Sequence, residues 1–198
     1  MPLRLYFHPL SSFCQKVLVA LYENGTPFEP EIVDFGNEAS RAAFLKVWPI
    51  GRFPVLRDTT ADRTIPESSI IIEYLARRTR LQDRFYDLYV NVPMQKVVTD
   101  KLRPPGKNDP YGVDQAKALL QTALGLIEQE MAAKTWAMGD DFTMADCAAA
   151  PAMFYANIVS PFGGTHRNAA AYLDRLMKRP SVARTVEEAK PYVALLPK

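Results

Sequence analysis

Leu3-Arg4-Leu5-Tyr6-Phe7-His8-Pro9-Leu10-Ser11-Ser12-Phe13-Cys14-Gln15-Lys16-Val17-Leu18 is the stretch that decides the fold. Leu3, Leu5 and Phe7 alternate with Arg4 and Tyr6, which is the two-residue period of a strand with one apolar face. His8 to Ser12 break that period. From about Gln15 the apolar residues Val17, Leu18 and Leu21 recur at helical spacing, and Asn24-Gly25 supplies a stop. Phe28 to Val33 reads as a second strand, which Pro30 either places at a sheet edge or weakens. Strand, helix and strand in this order predict a right-handed βαβ unit.

Working outward, Asn37 to Lys46 reads as a short helix and Pro49-Ile50-Gly51 as a turn. Phe53 to Arg57 is a third strand that starts at a proline, and Thr64-Ile65 is a brief return strand completing a hairpin. Glu67-Ser68-Ser69 then precedes Ile71, Tyr74, Leu75 and Arg78, a helix with a polar start. Beyond Thr79-Arg80-Leu81 no strand pattern recurs. Helices are expected at about 83–102, 113–134, 143–157, 169–178 and 181–189, with Pro93 and Pro151 kinking or shortening two of them. Residues 103–110, rich in proline and charge, form a solvated connector. The expectation is an α/β thioredoxin-like N-terminal domain (βαβ-α-ββα) over 1–80, followed by an all-α helical domain over 84–198.

Composition narrows the function classes. Of 198 residues, 48% are hydrophobic and 23% charged, as in ordinary globular proteins. A net charge of +2 lacks the basic stripe that nucleic acid would demand. No apolar run reaches the roughly 18 residues of a membrane-spanning helix. Met1-Pro2-Leu3-Arg4 leads into a strand and not into the long apolar region of a secretory leader. Two cysteines and two histidines make neither a disulfide framework nor a metal cluster. A cytoplasmic, metal-free protein is expected.

Three turns carry residues suited to chemistry. At Ser11-Ser12-Phe13-Cys14 a strand passes into a helix, whose unpaired N–H groups and partial positive charge suit an anion such as a thiolate. A thioredoxin-like protein carries C-x-x-C here; Ser11 stands at the first cysteine's place and Cys14 at the second's, so a dithiol cycle is excluded. The local alternative is that Ser11 or Ser12 only caps the helix. At Phe53-Pro54 a cis bond would turn the Phe53 backbone outward toward an extended peptide, the alternative being a plain strand-starting proline. At Glu67-Ser68 a helix start offers a hydroxyl and N–H groups to a carboxylate, and Glu67 suits an amino group; a simple cap is the alternative.

Taken together, in this order and on this pattern, the three turns resemble the glutathione S-transferase family over essentially the whole chain. Gly139-Asp140-Asp141-Phe142-Thr143-Met144-Ala145-Asp146 is similar to that family's capping box and hydrophobic staple, with Thr143 as cap and Asp146 reaching back. The resemblance implies a thioredoxin-like domain that binds glutathione and a helical domain that supplies the electrophile site. By position it makes Ser11 the catalytic hydroxyl, with Ser12 beside it and Cys14 leaving a thiol route open. It assigns the glutathione cysteinyl unit to the Phe53 backbone before Pro54, the γ-glutamyl end to Glu67 and Ser68, and the glycyl end to the neighbourhood of Arg52. Trp48 departs from the asparagine common before Pro49. Met94, Val98, Lys101, Tyr111 and Tyr155 are the candidate pocket lining between the domains.

The same resemblance implies glutathione as co-substrate, a small hydrophobic electrophile, a detoxifying role and a homodimer. The expected activity is therefore glutathione transfer. Two alternatives are a glutathione-dependent thiol oxidoreductase or lyase using Cys14, and a non-catalytic binding protein on the same scaffold. His8 and Cys147 read as structural.

Overall fold

The computed structural model describes residues 2–75 and 84–195. Arg78, the junction Thr79-Arg80-Leu81 and Asp83 lie outside the described residues. Strand β1 (Leu3–Phe7) leads into helix α1 (Ser12–Glu23) and strand β2 (Glu29–Ile32). β1 and β2 are parallel, in register from Arg4 with Glu29 to Phe7 with Ile32, so α1 is the crossover. Helix α2 (Glu38–Val47) follows, capped by the Asn37 side chain, which accepts the Ser40 N–H at 3.0 Å. Strands β3 (Val55–Asp58) and β4 (Arg63–Pro66) form the hairpin, and α3 (Ser68–Leu75) closes the unit. The sheet order is β2-β1-β3-β4, which puts Pro30 on an edge strand as expected.

Register brings the three chemical turns together. Val55 lies opposite both Tyr6 and Pro66. The chain after β1, before β3 and after β4 therefore leaves the sheet at one end, carrying Ser11, Phe53-Pro54 and Glu67-Ser68 with it.

The second half is helical. A wide π turn (Tyr86–Asn91) runs into α4 (Val92–Asp100), followed by α5 (Pro110–Met131), α6 (Met144–Val159), α7 (Arg167–Met177) and α8 (Pro180–Ala189). A 3₁₀ segment, Lys190–Leu195, ends the described chain. Pro93 falls just after the π turn, where the Val92 N–H reaches back to the Asp87 carbonyl, so the helix widens before the residue that lacks a donor. As expected from 143–157, α6 runs through Pro151, which is buried, and is not shortened there. The connector 103–110 is irregular until Pro110, which opens α5 behind the capping Asp109.

One apolar core spans both halves. It joins Leu5 and Phe7 of β1, Val17, Leu18 and Leu21 of α1, Ile71 and Ile72 of α3, and Leu120, Leu124 and Met153 of the later helices. Helix α1 lies between sheet and second half, so it also buries polar residues: Ser12, Gln15 and Lys16. At the start of α6 the expected capping box is present. Asp146, fully buried, accepts the Thr143 N–H (2.8 Å), the Ala137 N–H (2.8 Å) and the Tyr172 hydroxyl (2.7 Å).

Candidate active site

Ser11 is the N-cap of α1, and its Oγ accepts the Cys14 N–H at 3.4 Å. Accepting engages a lone pair and leaves the O–H to donate, so capping and ligand binding are compatible roles for one hydroxyl. Ser12 differs. It is 4% exposed, donates to Asn91 Oδ1 at 2.8 Å and accepts from the Gln95 amide at 3.3 Å. Its proton is taken up by a residue of the π turn. Cys14 is fully buried, and burial pushes its thiol up to about 12, against smaller opposing effects of the Ser11 hydroxyl and the His8 backbone. It is a protonated core residue at neutral pH.

The turn before Ser11 is pinned from the helical half. The Tyr155 hydroxyl on α6 donates to the Leu10 carbonyl (2.9 Å), while the buried Gln15 amide donates to the Pro9 carbonyl (2.8 Å) and to the Tyr155 oxygen (3.1 Å). Next along α1, Lys16 Nζ donates to Asp87 Oδ2 (2.7 Å) and to Ser69 Oγ (2.9 Å). Ser69 in turn donates to Asp87 at 3.1 Å. Asn91 with Ser12 and Asp87 with Lys16 form two rungs, four residues apart on each element. These partners lie 53 to 140 residues from their α1 residues in the chain, and no local pattern reveals the bonds.

The Phe53-Pro54 bond is cis. The Phe53 ring stacks on Phe35 (5.2 Å between centroids) and lies over His8 (6.2 Å). His8 Nδ1 accepts the Leu10 N–H at 3.2 Å, and Tyr192 of the 3₁₀ segment meets the imidazole edge-on, so this histidine serves the scaffold. Arg52 is exposed on the turn ahead of Phe53. Trp48 ends α2 and packs on the small cluster of Val33, Phe44 and Val55.

Glu67 adopts a positive φ of +71°. A side chain with a Cβ rarely occupies this region, and holding one there costs on the order of 1–3 kcal/mol. Its carbonyl accepts the Ile71 N–H that starts α3, its carboxylate side is exposed, and Ser68 behind it is buried. Such strain at a helix start presents the Glu67 side chain where ordinary backbone would not.

Beside Ser11 opens a cleft of about 480 Å³ between the first turn of α1 and the helices α4, α5 and α6. Met94, Val98, Lys101 and Tyr155 line it, together with Ser11 and Ser12. Tyr111 does not: it stands 74% exposed on the first turn of α5 and bonds to Gln115. Sequence reasoning missed Lys117, which faces the same cleft from α5. Among the described residues no group of three acidic, histidine or cysteine side chains is placed to hold a metal, and no helix is long and apolar enough to cross a membrane.

Fold and rim define a class: a thioredoxin-like domain whose first motif cysteine is a serine, joined to an all-helical domain that walls a cleft over it. Residues 5–82 match the Glutathione S-transferase, N-terminal domain family and residues 85–180 the Glutathione S-transferase, C-terminal domain family. The chain belongs to the glutathione S-transferase family, and by that membership it is a glutathione transferase. It is 27% identical to glutathione S-transferase GstB of Escherichia coli K12, over 89% of this chain and 93% of that one. It is also 27% identical to a stringent starvation protein A homolog of Haemophilus influenzae, over 90% and 87% of the two chains. A glutathione S-transferase of Methylobacillus flagellatus KT, solved with GSH bound, shares the fold with a TM-score of 0.82 at 21% identity, covering 92% of this chain and 98% of that one.

Proposed function

We propose that the protein binds glutathione on the rim of Ser11, Phe53-Pro54 and Glu67-Ser68, lowers the pKa of its thiol, and transfers the thiolate to a hydrophobic electrophile in the adjoining cleft. The observation that carries this reading is the division between neighbours: Ser11 caps α1 at the edge of the cleft, while Ser12 is locked onto Asn91. Residues 1–80 would supply the glutathione site and residues 84–198 the electrophile site. Glu67 and Ser68 hold the γ-glutamyl end, the Phe53 backbone pairs with the cysteinyl unit, and Arg52 serves the glycyl carboxylate.

The energetics suffice without a general base. A free thiol has a pKa of about 8.5, and a drop of about 2 units requires roughly 2.7 kcal/mol of differential stabilisation. One hydrogen bond to a charged group supplies about 1.5–3 kcal/mol. The α1 N-terminus adds about 0.3–1 kcal/mol. The proton goes to solvent and the thiolate remains, positioned for attack.

Ser11→Ala is expected to raise the pKa of bound glutathione by about 1–2 units, the equivalent of one charge-assisted hydrogen bond. Ultraviolet absorbance of the thiolate, followed against pH and corrected for the unliganded protein, measures it. An unmoved curve in Ser11→Ala would sink the assignment. The oxidoreductase alternative is disfavoured by the burial and raised pKa of Cys14. The binding-protein alternative draws on the likeness to the stringent starvation protein A homolog. Conjugating activity with a neutral chlorodinitrobenzene separates it from the transferase reading.

We further propose a homodimer and a cytoplasmic, detoxifying role. The dimer reading rests on exposed apolar side chains of α3 (Ile70, Tyr74), the π turn (Leu88, Tyr89) and the start of α4 (Val92).

A further inference from the structure

The cleft beside Ser11 is mostly apolar, with Ser11, Ser12, Gln95, Thr99 and Tyr155 as its uncharged polar lining. Thirteen residues line it, Met94, Val97, Val98 and Ile158 among them; its charged members are Lys101 and Lys117, and no carboxylate faces it among the described residues. The two lysines come from different elements, Lys101 from the C-terminal cap of α4 and Lys117 from the second turn of α5. Neither forms an ion pair with a described residue. The carboxylate next in sequence, Asp100, is turned away from the cleft chemistry: it is buried, accepts the Asp109 N–H at 2.9 Å and pairs with Arg103 at 3.0 Å.

An apolar cavity with two unpaired cations of the same sign at its wall selects for charge as well as for hydrophobicity. Both lysines are exposed, so beside a neutral apolar ligand their ammonium groups keep only water as partner. A ligand with an apolar body and one anionic end would fill the cavity and meet both lysines, which fixes its orientation with the reactive carbon toward Ser11. We infer that the preferred electrophile is amphipathic, an apolar or aromatic body bearing a carboxylate or sulfonate, and that Lys101 and Lys117 determine this specificity. The inference rests on the transferase reading above.

The test uses the intact protein, glutathione, and two aryl chlorides of the same skeleton: a chloronitrobenzoate and its methyl ester. In both, the glutathione sulfur bonds to the ring carbon bearing chlorine, the carbon–chlorine bond breaks, and chloride leaves with the electron pair. Each kcat/KM is divided by the uncatalysed rate with free glutathione, which removes the difference in ring activation. The wild type is expected to favour the carboxylate. Lys101→Met and Lys117→Met should each lower the carboxylate-to-ester ratio about threefold, and the double variant about tenfold, as solvent-accessible ion pairs of about 0.7 kcal/mol each would. The ratio should also fall as salt rises. Conjugation of both compounds with no carboxylate preference, or a ratio unchanged in the double variant, overturns the charge assignment and leaves the transferase reading standing. Failure to conjugate either compound, or a neutral chlorodinitrobenzene, above the uncatalysed rate overturns the transferase reading and this inference with it.

Discussion

Two hydroxyls and a thiol within four residues, Ser11, Ser12 and Cys14, have been given different work by their surroundings. Ser11 caps the helix at the cleft, Ser12 bonds across to the π turn, and Cys14 fills the core. Burial raises the Cys14 thiol from an ordinary 9.0 to about 12. In the unfolded chain the thiol ionises first, so as pH rises above about 9 the unfolded state holds fewer protons and is favoured. Stability contributed by this residue is therefore full below about pH 9 and is lost through about pH 12. The limiting slope is about 1.4 kcal/mol per pH unit. Cys14→Ala removes that slope, so urea unfolding at rising alkaline pH should show wild type and variant converging. A constant gap would mean that the thiol does not sense burial. In the native state Cys14 should also resist thiol reagents until the protein unfolds.

At the scale of elements, the start of α6 concentrates the most consequence in one side chain. Asp146→Ala would strand the Thr143 and Ala137 N–H groups and the Tyr172 hydroxyl, all partners of one buried carboxylate. At about 1–3 kcal/mol for each buried group left unpaired, a loss of at least about 3 kcal/mol is expected in equilibrium unfolding. Asp146→Asn, which keeps one carbonyl acceptor, should recover part of it. That motif was legible from Gly139 to Asp146 because a capping box is local. So were β1, α1 and the edge strand with Pro30, whose periods and breakers lie within a few residues of each other. The π turn ahead of Pro93 was not legible, because tertiary packing decides how a helix adjusts to a proline. The site divides in the same way. Ser11, Phe53-Pro54 and Glu67-Ser68 are candidates read from their turns and Tyr155 a candidate of the pocket lining, whereas the bonds that Asn91, Gln95 and Tyr155 make to α1 come from the other half of the chain. Tyr111 was misplaced because exposure depends on which way α5 faces.

For the whole molecule, the exposed apolar side chains of Ile70, Tyr74, Leu88, Tyr89 and Val92 predict self-association. Sedimentation at micromolar concentration should return about twice the chain mass, and Leu88→Glu with Val92→Glu should shift it toward one chain without altering the circular dichroism of the fold. A wild-type monomer would remove the dimer and leave the fold untouched. Lys16, Asp87 and Ser69 bear on a different question. They tie α1, the π turn and α3 together by a buried ion pair in which both side chains are almost fully enclosed. Splitting the chain between residues 75 and 84 would take Asp87 from Lys16 and open the apolar flank of α1 to water. Neither half of this chain is therefore a ready-made module, since each keeps a face finished only by the other.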